Sequence, residues 1–320
     1  MTASASLDLS YDDAQQAIAA SVAAFCRDHC TPDAVRATAG RFPDALWRGL
    51  GDLGVLAMAT PEGDGGALEI AAAMESLGAA AHPGPLAETF VATQLVPPAA
   101  RARVGAGDAI VAVGEPPLVA FAPCAELFVE LADGEAWLAE PSGPIEPLAT
   151  LGGEPWGRVA LVRRAPLGPS DRALALGDVA RAAYLAAAGR ALLAAAADHA
   201  RTRKQFGRAI ASFQAVSHPL ADAAIALDAA ATLGRVAAYE WDERATGARP
   251  RAAAARLSAS RAATRAAHAA HQVFGALGIT VDGPAFHLSR RIVQLASAAP
   301  GRDAARDAIA ATVVGVAGAA

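Results

Sequence analysis

Cysteine is scarce, because the 320 residues include only Cys26, Cys30 and Cys124. Such a small and uneven set cannot form the disulfide framework of a secreted domain, which indicates a reducing compartment. Cys26, His29 and Cys30 could share a helical face as a partial metal site, but no fourth ligand follows nearby. Since small thiols are commonly buried in protein cores, we predict that the chain holds no metal.

Long apolar runs and an excess of positive charge are also missing. Hydrophobic residues make up 54% of the chain, yet no uninterrupted apolar run reaches the roughly 18 residues that a membrane span requires. The first ten residues lack the basic segment and apolar stretch of a secretion signal. A formal charge of −5 and a pI near 5.8 give no general attraction to nucleic acid. We therefore expect a cytoplasmic protein with no nucleic-acid or membrane partner.

The composition and hydrophobic periodicity of the chain change twice, which predicts three parts. Residues 1–107 carry helical periodicity, residues 108–170 carry short apolar runs broken by Pro and Gly, and residues 171–320 are helical and rich in Ala. Asp133-Gly134 lies between two β-type runs, which predicts a hairpin. Because Ala lets helices approach closely, we expect the last part to form an antiparallel bundle. Its predicted helices cover residues 178–204, 212–246, 249–276, 284–297 and 302–317.

Residues 201–222 indicate a corner between two helices that could bind an anion. Arg203 and Lys204 lie where a helix is predicted to end, Gly207 can adopt the backbone angles that end it, and Ser212 can cap the next helix. Guanidinium groups, a Gln side chain and backbone N–H groups could there hold a diphosphate and a ribose. The alternative is that these cations are simply solvated at a helix end.

Two motifs in the order and spacing of one family favour the binding interpretation. Residues 203–214 resemble the Arg-x-x-Phe-Gly and Phe-Gln signature of acyl-CoA dehydrogenases, and residues 272–278 resemble the Gln-x-x-Gly-Gly-x-Gly turn of that family. The resemblance implies a mainly α fold with a small β segment: an N-terminal helical domain, a reduced middle β domain and a C-terminal four-helix bundle. In the family, FAD lies between two subunits, and the bundle of one subunit contacts the adenosine diphosphate half held by its neighbour.

The resemblance assigns six residues of this chain to FAD. Three of them fall on diphosphate contacts, one on a ribose contact and two on the turn beside the adenine. In that order they are Arg203, Gln205 and Phe206, then Gln214, then Gln272 and Gly275. Ala276 replaces the second glycine of the turn, which reduces the room for close backbone approach there.

The family's catalytic carboxylate, in contrast, has no counterpart in this chain. Ala299 falls on the position of the glutamate base, and Gly177 falls on the alternative position used by some members. We expect the adjacent Asp178 to stabilise a helix end. After residue 155 the only glutamates are Glu240 and Glu243, in what we interpret as a solvated charged cluster. The middle segment is also shorter than the family's β domain and lacks its flavin-ring segment. We predict no catalytic residue.

The resemblance therefore predicts the non-catalytic subunit of a heteromeric FAD-dependent acyl-CoA dehydrogenase of the steroid side-chain type. Its partner would be a full-length acyl-CoA dehydrogenase subunit that carries the catalytic Glu and binds most of the acyl-CoA substrate. Two alternatives remain at this point. One is a homodimeric enzyme with a displaced base, and the other is a flavin-free helical interaction protein.

Overall fold

The computed structural model describes residues 9–298, 306–307 and 309–310. Six helices come first, followed by seven strands and then four long or medium helices with a small hairpin between the first two of these. This order confirms the predicted fold class, mainly helical with small β sheets in the middle.

The N-terminal helices are α1 (Asp13–His29), α2 (Pro32–Ala37), α3 (Asp44–Asp52), α4 (Ala67–Ala79), α5 (Leu86–Leu95) and α6 (Pro98–Gly105). Helix α1 begins with a capping box, because Asp12 accepts a hydrogen bond from Gln15 N while the Gln15 side chain accepts one from Asp12 N. Helices α4 and α5 are buried around most of their circumference, so they form the core-facing layer of this part.

The strands are β1 (Val111–Gly114), β2 (Leu118–Ala120), β3 (Leu127–Ala132), β4 (Glu135–Pro141), β5 (Glu146–Leu148), β6 (Trp156–Arg158) and β7 (Leu161–Pro169). They form one sheet of order β1-β3-β4-β7 and another of order β2-β6-β5. The hairpin predicted at Asp133-Gly134 joins β3 to β4 and is confirmed. Both turn residues have positive φ, 53° and 79°, as a two-residue hairpin turn requires.

The C-terminal part contains α7 (Asp171–Thr202), α8 (Gln214–Asp242), α9 (Ala248–Phe274) and α10 (Phe286–Ser297), with the strands β8 (Lys204–Gln205) and β9 (Arg208–Ala209) after α7. Helices α7 and α9 run side by side in the same direction, because Asp178 contacts Arg256 and His199 stacks near Phe274. At Gly189 a Cβ would lie 3.2 Å from the Cα of Ala263, so small residues do allow close helix contact. The helix predicted over 302–317 lies largely outside the described residues.

Helix α7 is the central helix of the structure. Its length and mean hydropathy of 1.3 would suffice for a membrane span, but 78% of that segment is buried inside the fold, as in the core helix of a globular protein. Cys26 and Cys30 are buried next to each other, and the hydrogen bond with Cys30, together with burial, raises the pKa of the Cys26 thiol. Among the described residues no group of three His, Cys, Asp or Glu side chains could hold a metal ion.

Candidate functional site

The predicted corner after α7 has a different backbone from the one expected. Helix α7 ends at Thr202, where Arg203 N donates to His199 O at 2.8 Å, and the chain then forms the β8–β9 hairpin. Gly207, with φ 77°, therefore turns this hairpin and does not end the helix. Ser212 does not cap α8 either, because its hydroxyl donates back to Ala209 O at 2.7 Å and α8 begins two residues later.

The hairpin holds an aromatic side chain in solvent. Phe206, at the turn, has a φ of 52° and is 91% exposed. The Phe206 ring contacts the Phe213 ring edge-on, with centroids 6.0 Å apart. The Arg208 guanidinium lies 4.1 Å from the centroid of the same Phe213 ring. An apolar ring that is fixed in position but left uncovered is typical of a surface that contacts another molecule.

Polar side chains of the corner are exposed beside this ring. Neither Arg203 nor Lys204 has a carboxylate partner among the residues that the structure describes. Within the described part of the chain, the side-chain amide of Gln205 donates only to the neighbouring Lys204 O, at 2.7 Å. Gln214 is the exposed first residue of α8, where backbone N–H groups carry partial positive charge. These groups are donors, which suits an anionic ligand.

The second predicted segment lies at the end of α9 close to this corner. His199, in the last turn of α7, lies 5.2 Å from Phe274 between ring centroids, so the ends of the two helices meet. Gln272 is exposed in the last turn of α9. Gly275 adopts φ 57° and ψ −132°, a conformation that only glycine adopts easily. The structure thus brings both predicted segments to one end of the helical bundle.

Asp178 occupies a very different environment from the predicted helix end. It lies two turns inside α7, is 1% exposed, and accepts hydrogen bonds from Arg249 at 2.6 Å and Arg256 at 3.0 Å. The helix-end prediction is therefore wrong, because α7 begins at Asp171. Asp178 instead supplies the negative charge for two arginines of α9.

Of the two positions that the family uses for its catalytic base, the structure describes one, at Gly177. At Gly177 a Cβ would lie 2.5 Å from Val91 Cγ2 of α5, so close packing leaves no room there for a longer side chain. Ala299 lies outside the described residues. The carbonyl of the preceding Ala298 accepts a hydrogen bond from Arg256, the same guanidinium that pairs with Asp178.

More ion pairs, which the sequence did not reveal, extend this buried cluster across the three parts of the chain. Arg181 of α7 pairs with Glu88 of α5 at 2.7 Å. Arg291 of α10 pairs with Glu154, which follows β5. Burial raises the pKa of Glu154, although Arg291 opposes the shift, and burial raises the pKa of Tyr184 to about 12. For the members that lie in helices, the sequence signal for these ion pairs is a charged residue among Ala and Leu neighbours.

The predicted charged cluster around Glu240 is only partly solvated. Glu240 pairs with Arg251 at 2.7 Å, but Asp242 accepts hydrogen bonds from the backbone N–H groups of Ala67 and Leu68 and so caps α4. Glu243, the C-cap residue of α8, is exposed. None of these acids lies in the buried cluster around Asp178.

The described residues thus fit one half of a dinucleotide better than the other. The exposed donors at the bundle end suit an adenosine diphosphate, whereas the region around Asp178 and Ala298 is filled by arginines paired with carboxylates. Both oxygen atoms of the Asp178 carboxylate already accept hydrogen bonds from guanidinium groups within this buried cluster.

Comparisons with known proteins agree with this architecture. The family description "Acyl-CoA dehydrogenase, N-terminal domain" matches residues 12–104, and "Acyl-CoA dehydrogenase, C-terminal domain" matches residues 171–314. The chain is 30% identical to the acyl-CoA dehydrogenase IpdE2 of Mycobacterium tuberculosis, over 83% of this chain and 86% of that protein.

Two solved structures are similar over nearly the whole chain. A chain of the ChsE4-ChsE5 complex from Mycobacterium tuberculosis is 27% identical with a TM-score of 0.84, covering 98% of this chain and 100% of that one. A chain of a variant of the Tcur3481-Tcur3483 steroid ACAD has a TM-score of 0.82 over 95% of this chain and 98% of that one. Because its identity is 20%, this second likeness concerns the fold alone.

Proposed function

The chain belongs to the acyl-CoA dehydrogenase family, and we propose that it is the non-catalytic subunit of a heteromeric enzyme of that family. In this proposal the partner is a full-length subunit that carries the catalytic Glu and binds most of the acyl-CoA substrate. The reaction is the α,β-dehydrogenation of an acyl-CoA thioester of the steroid side-chain type. Similarity to a chain of the ChsE4-ChsE5 complex supports a heteromeric assembly, and the substrate class is the one that the resemblance in sequence implies.

The observation that carries the proposal is the pairing of Asp178. Its carboxylate is the acid nearest to the family's alternative base position, and both of its oxygen atoms accept hydrogen bonds from arginines. The adjacent Gly177 cannot take a glutamate without displacing Val91. A base needs a free lone pair directed at the substrate. The described part of this region therefore contains a buried ion-pair cluster where an active subunit would need a free carboxylate.

The exposed corner provides the complementary half of the proposal. Enzymes of this family typically bind FAD, which accepts hydride from the β-carbon of the thioester. We propose that Arg203 and Gln205 bind the diphosphate of FAD held by the partner, with Phe206 packed beside them. Gln214 would bind the ribose, and Gln272 with Gly275 would border the adenine. This chain would then hold and orient the nucleotide end without moving a proton.

We propose that residues 1–107, 108–170 and 171–320 are the three domains of the chain. In this division the first two parts would support the bundle, which contributes the FAD contacts. We also propose that the protein is cytoplasmic.

The experiment that tests the proposal replaces the partner's catalytic Glu with Gln in the purified heteromer. If this chain lacks a base, acyl-CoA dehydrogenation falls to background, because the only productive carboxylate has been removed. Retention of about half of the wild-type turnover would contradict the proposal. A yellow, active preparation of this chain alone would contradict it as well, and would favour a homodimeric enzyme.

A further inference from the structure

A groove between α9 and α10 borders the buried cluster at Arg256 but contains none of the residues assigned to FAD. It has a volume of about 390 Å³, within the range of small-molecule sites in proteins. Its polar lining comes mainly from one face of α9, with Ser260, Arg261, Thr264, Arg265 and His268, and also includes Ser297 of α10 and Arg256, which pairs with Asp178. Leu257, Val293 and Ala296 provide the apolar part of its lining.

Helix α9 has an unusual charge balance. It contains five arginines and neither Asp nor Glu. Three of these arginines are paired with carboxylates of other helices, namely Asp178 and Glu240. The remaining two, Arg261 and Arg265, are exposed to the groove and have no hydrogen-bond or ion-pair partner within the described part of the chain. The groove is thus the one place along α9 where arginine charge is uncompensated by this chain's described residues.

Two hydroxyl groups beside these arginines are also without partners in the described structure. Ser and Thr inside helices commonly donate to the carbonyl four residues earlier. Ser21 and Thr232 do so here, at 2.9 Å each. Ser260 and Thr264 make no such bond among the described residues, although both are half-buried in the groove wall. They therefore remain available as donors to a ligand.

The spacing of these groups suits a phosphate. Arg261 and Arg265 are four residues apart, which places their Cβ atoms about 5–6 Å apart on one helix face, with Thr264 between them in sequence. Two like charges at this spacing repel each other, and an anion between them would remove the repulsion. Planar guanidinium groups bind phosphate oxygens through paired hydrogen bonds. His268 continues the same face by one turn.

We propose that this groove binds a phosphate-bearing ligand of about the size of a nucleoside phosphate. Arg261 and Arg265 bind the phosphate oxygens, the hydroxyls of Ser260 and Thr264 donate additional hydrogen bonds, and the apolar part beside Leu257 and Val293 takes the uncharged remainder. The inference does not depend on the proposed function, because it uses none of the six residues assigned to FAD.

The test is isothermal titration calorimetry on the full-length chain, purified with its catalytic subunit if the two copurify. Three probes are compared: inorganic diphosphate, adenosine 3′,5′-bisphosphate and uncharged adenosine. The two phosphate-bearing probes should bind saturably and adenosine should not. Arg261→Gln and Arg265→Gln should each weaken binding about tenfold, the usual loss when a hydrogen bond to a charged group is removed.

Control variants separate this groove from other basic surfaces. Arg190→Gln removes an exposed arginine that is paired with Asp228 elsewhere on the bundle, and it should leave the affinity unchanged. The proposal is overturned if neither phosphate-bearing probe binds, if the double variant Arg261→Gln/Arg265→Gln binds as tightly as wild type, or if Arg203→Ala alone removes binding. Tighter binding of the bisphosphate than of diphosphate would identify a nucleotide as the source of the phosphate.

Discussion

Replacing Asp178 with Asn should destabilise the fold strongly, because the substitution removes charge from a buried site while keeping the side chain's shape. Three arginines of the surrounding cluster, Arg181, Arg249 and Arg256, are balanced by Asp178 and Glu88. The neutral amide would leave Arg256 without a counter-charge and Arg249 with only the exposed Asp171, 3.9 Å away.

Removing one member of a buried ion pair costs about 3–5 kcal/mol, since the remaining charge stays away from water. The matched control is Asp228→Asn. Asp228 pairs with Arg190 at 2.7 Å, but its side chain is 72% exposed, so the expected loss is about 0–1 kcal/mol.

The free energy of unfolding, measured by urea denaturation of both variants and wild type, gives the comparison. The reasoning is refuted if Asp178→Asn costs no more than Asp228→Asn. If Asp178→Asn abolished turnover but left the urea midpoint unchanged, the result would favour the homodimeric enzyme, because a catalytic base affects turnover and not stability.

Three other outcomes follow from the structure. Arg203→Ala and Gln272→Ala should each lower the FAD content of the purified heteromer, measured by flavin absorbance, whereas the control Arg190→Ala should not. An unchanged FAD content in all three variants would support a flavin-free interaction protein. Gly177→Glu should lower the thermal unfolding midpoint without creating turnover, because a Cβ at this position would collide with Val91. A variant that is stable and more active would contradict this packing. Burial, reinforced by Arg291, lowers the pKa of His82 to about 3, so the folded state stays neutral while the unfolded state gains a proton below about 6.5. Stability should therefore fall as the pH decreases from 6.5 towards 3, by up to about 1.4 kcal/mol per pH unit, and His82→Asn should flatten that dependence in pH-dependent unfolding experiments.

Local sequence patterns predicted the features whose causes are local. The hairpin at Asp133-Gly134 follows from two residues that tolerate positive φ between strand-forming runs. The long C-terminal helices follow from Ala-rich periodicity, although α7 begins at Asp171, seven residues before its predicted start. That error placed Asp178 at a helix end.

Features that depend on distant partners could not be read from the sequence. Asp178 meets Arg249 and Arg256, which lie 71 and 78 residues further along the chain. No periodicity connects such positions, so a buried ion pair looks like an isolated charge in an apolar helix. The corner after α7 also lies beside a distant segment, because His199 in the last turn of α7 packs against Phe274 at the end of α9.

The central claim is that this chain holds the nucleotide end of a coenzyme whose reactive ring belongs to a partner. Its most direct test is the ratio of FAD to polypeptide in the heteromer purified with saturating FAD, from flavin absorbance after denaturation and quantitative amino-acid analysis of each chain. The proposal predicts one FAD for every two polypeptides. One FAD for each polypeptide would mean that this chain also completes a flavin site of its own, and would contradict the claim.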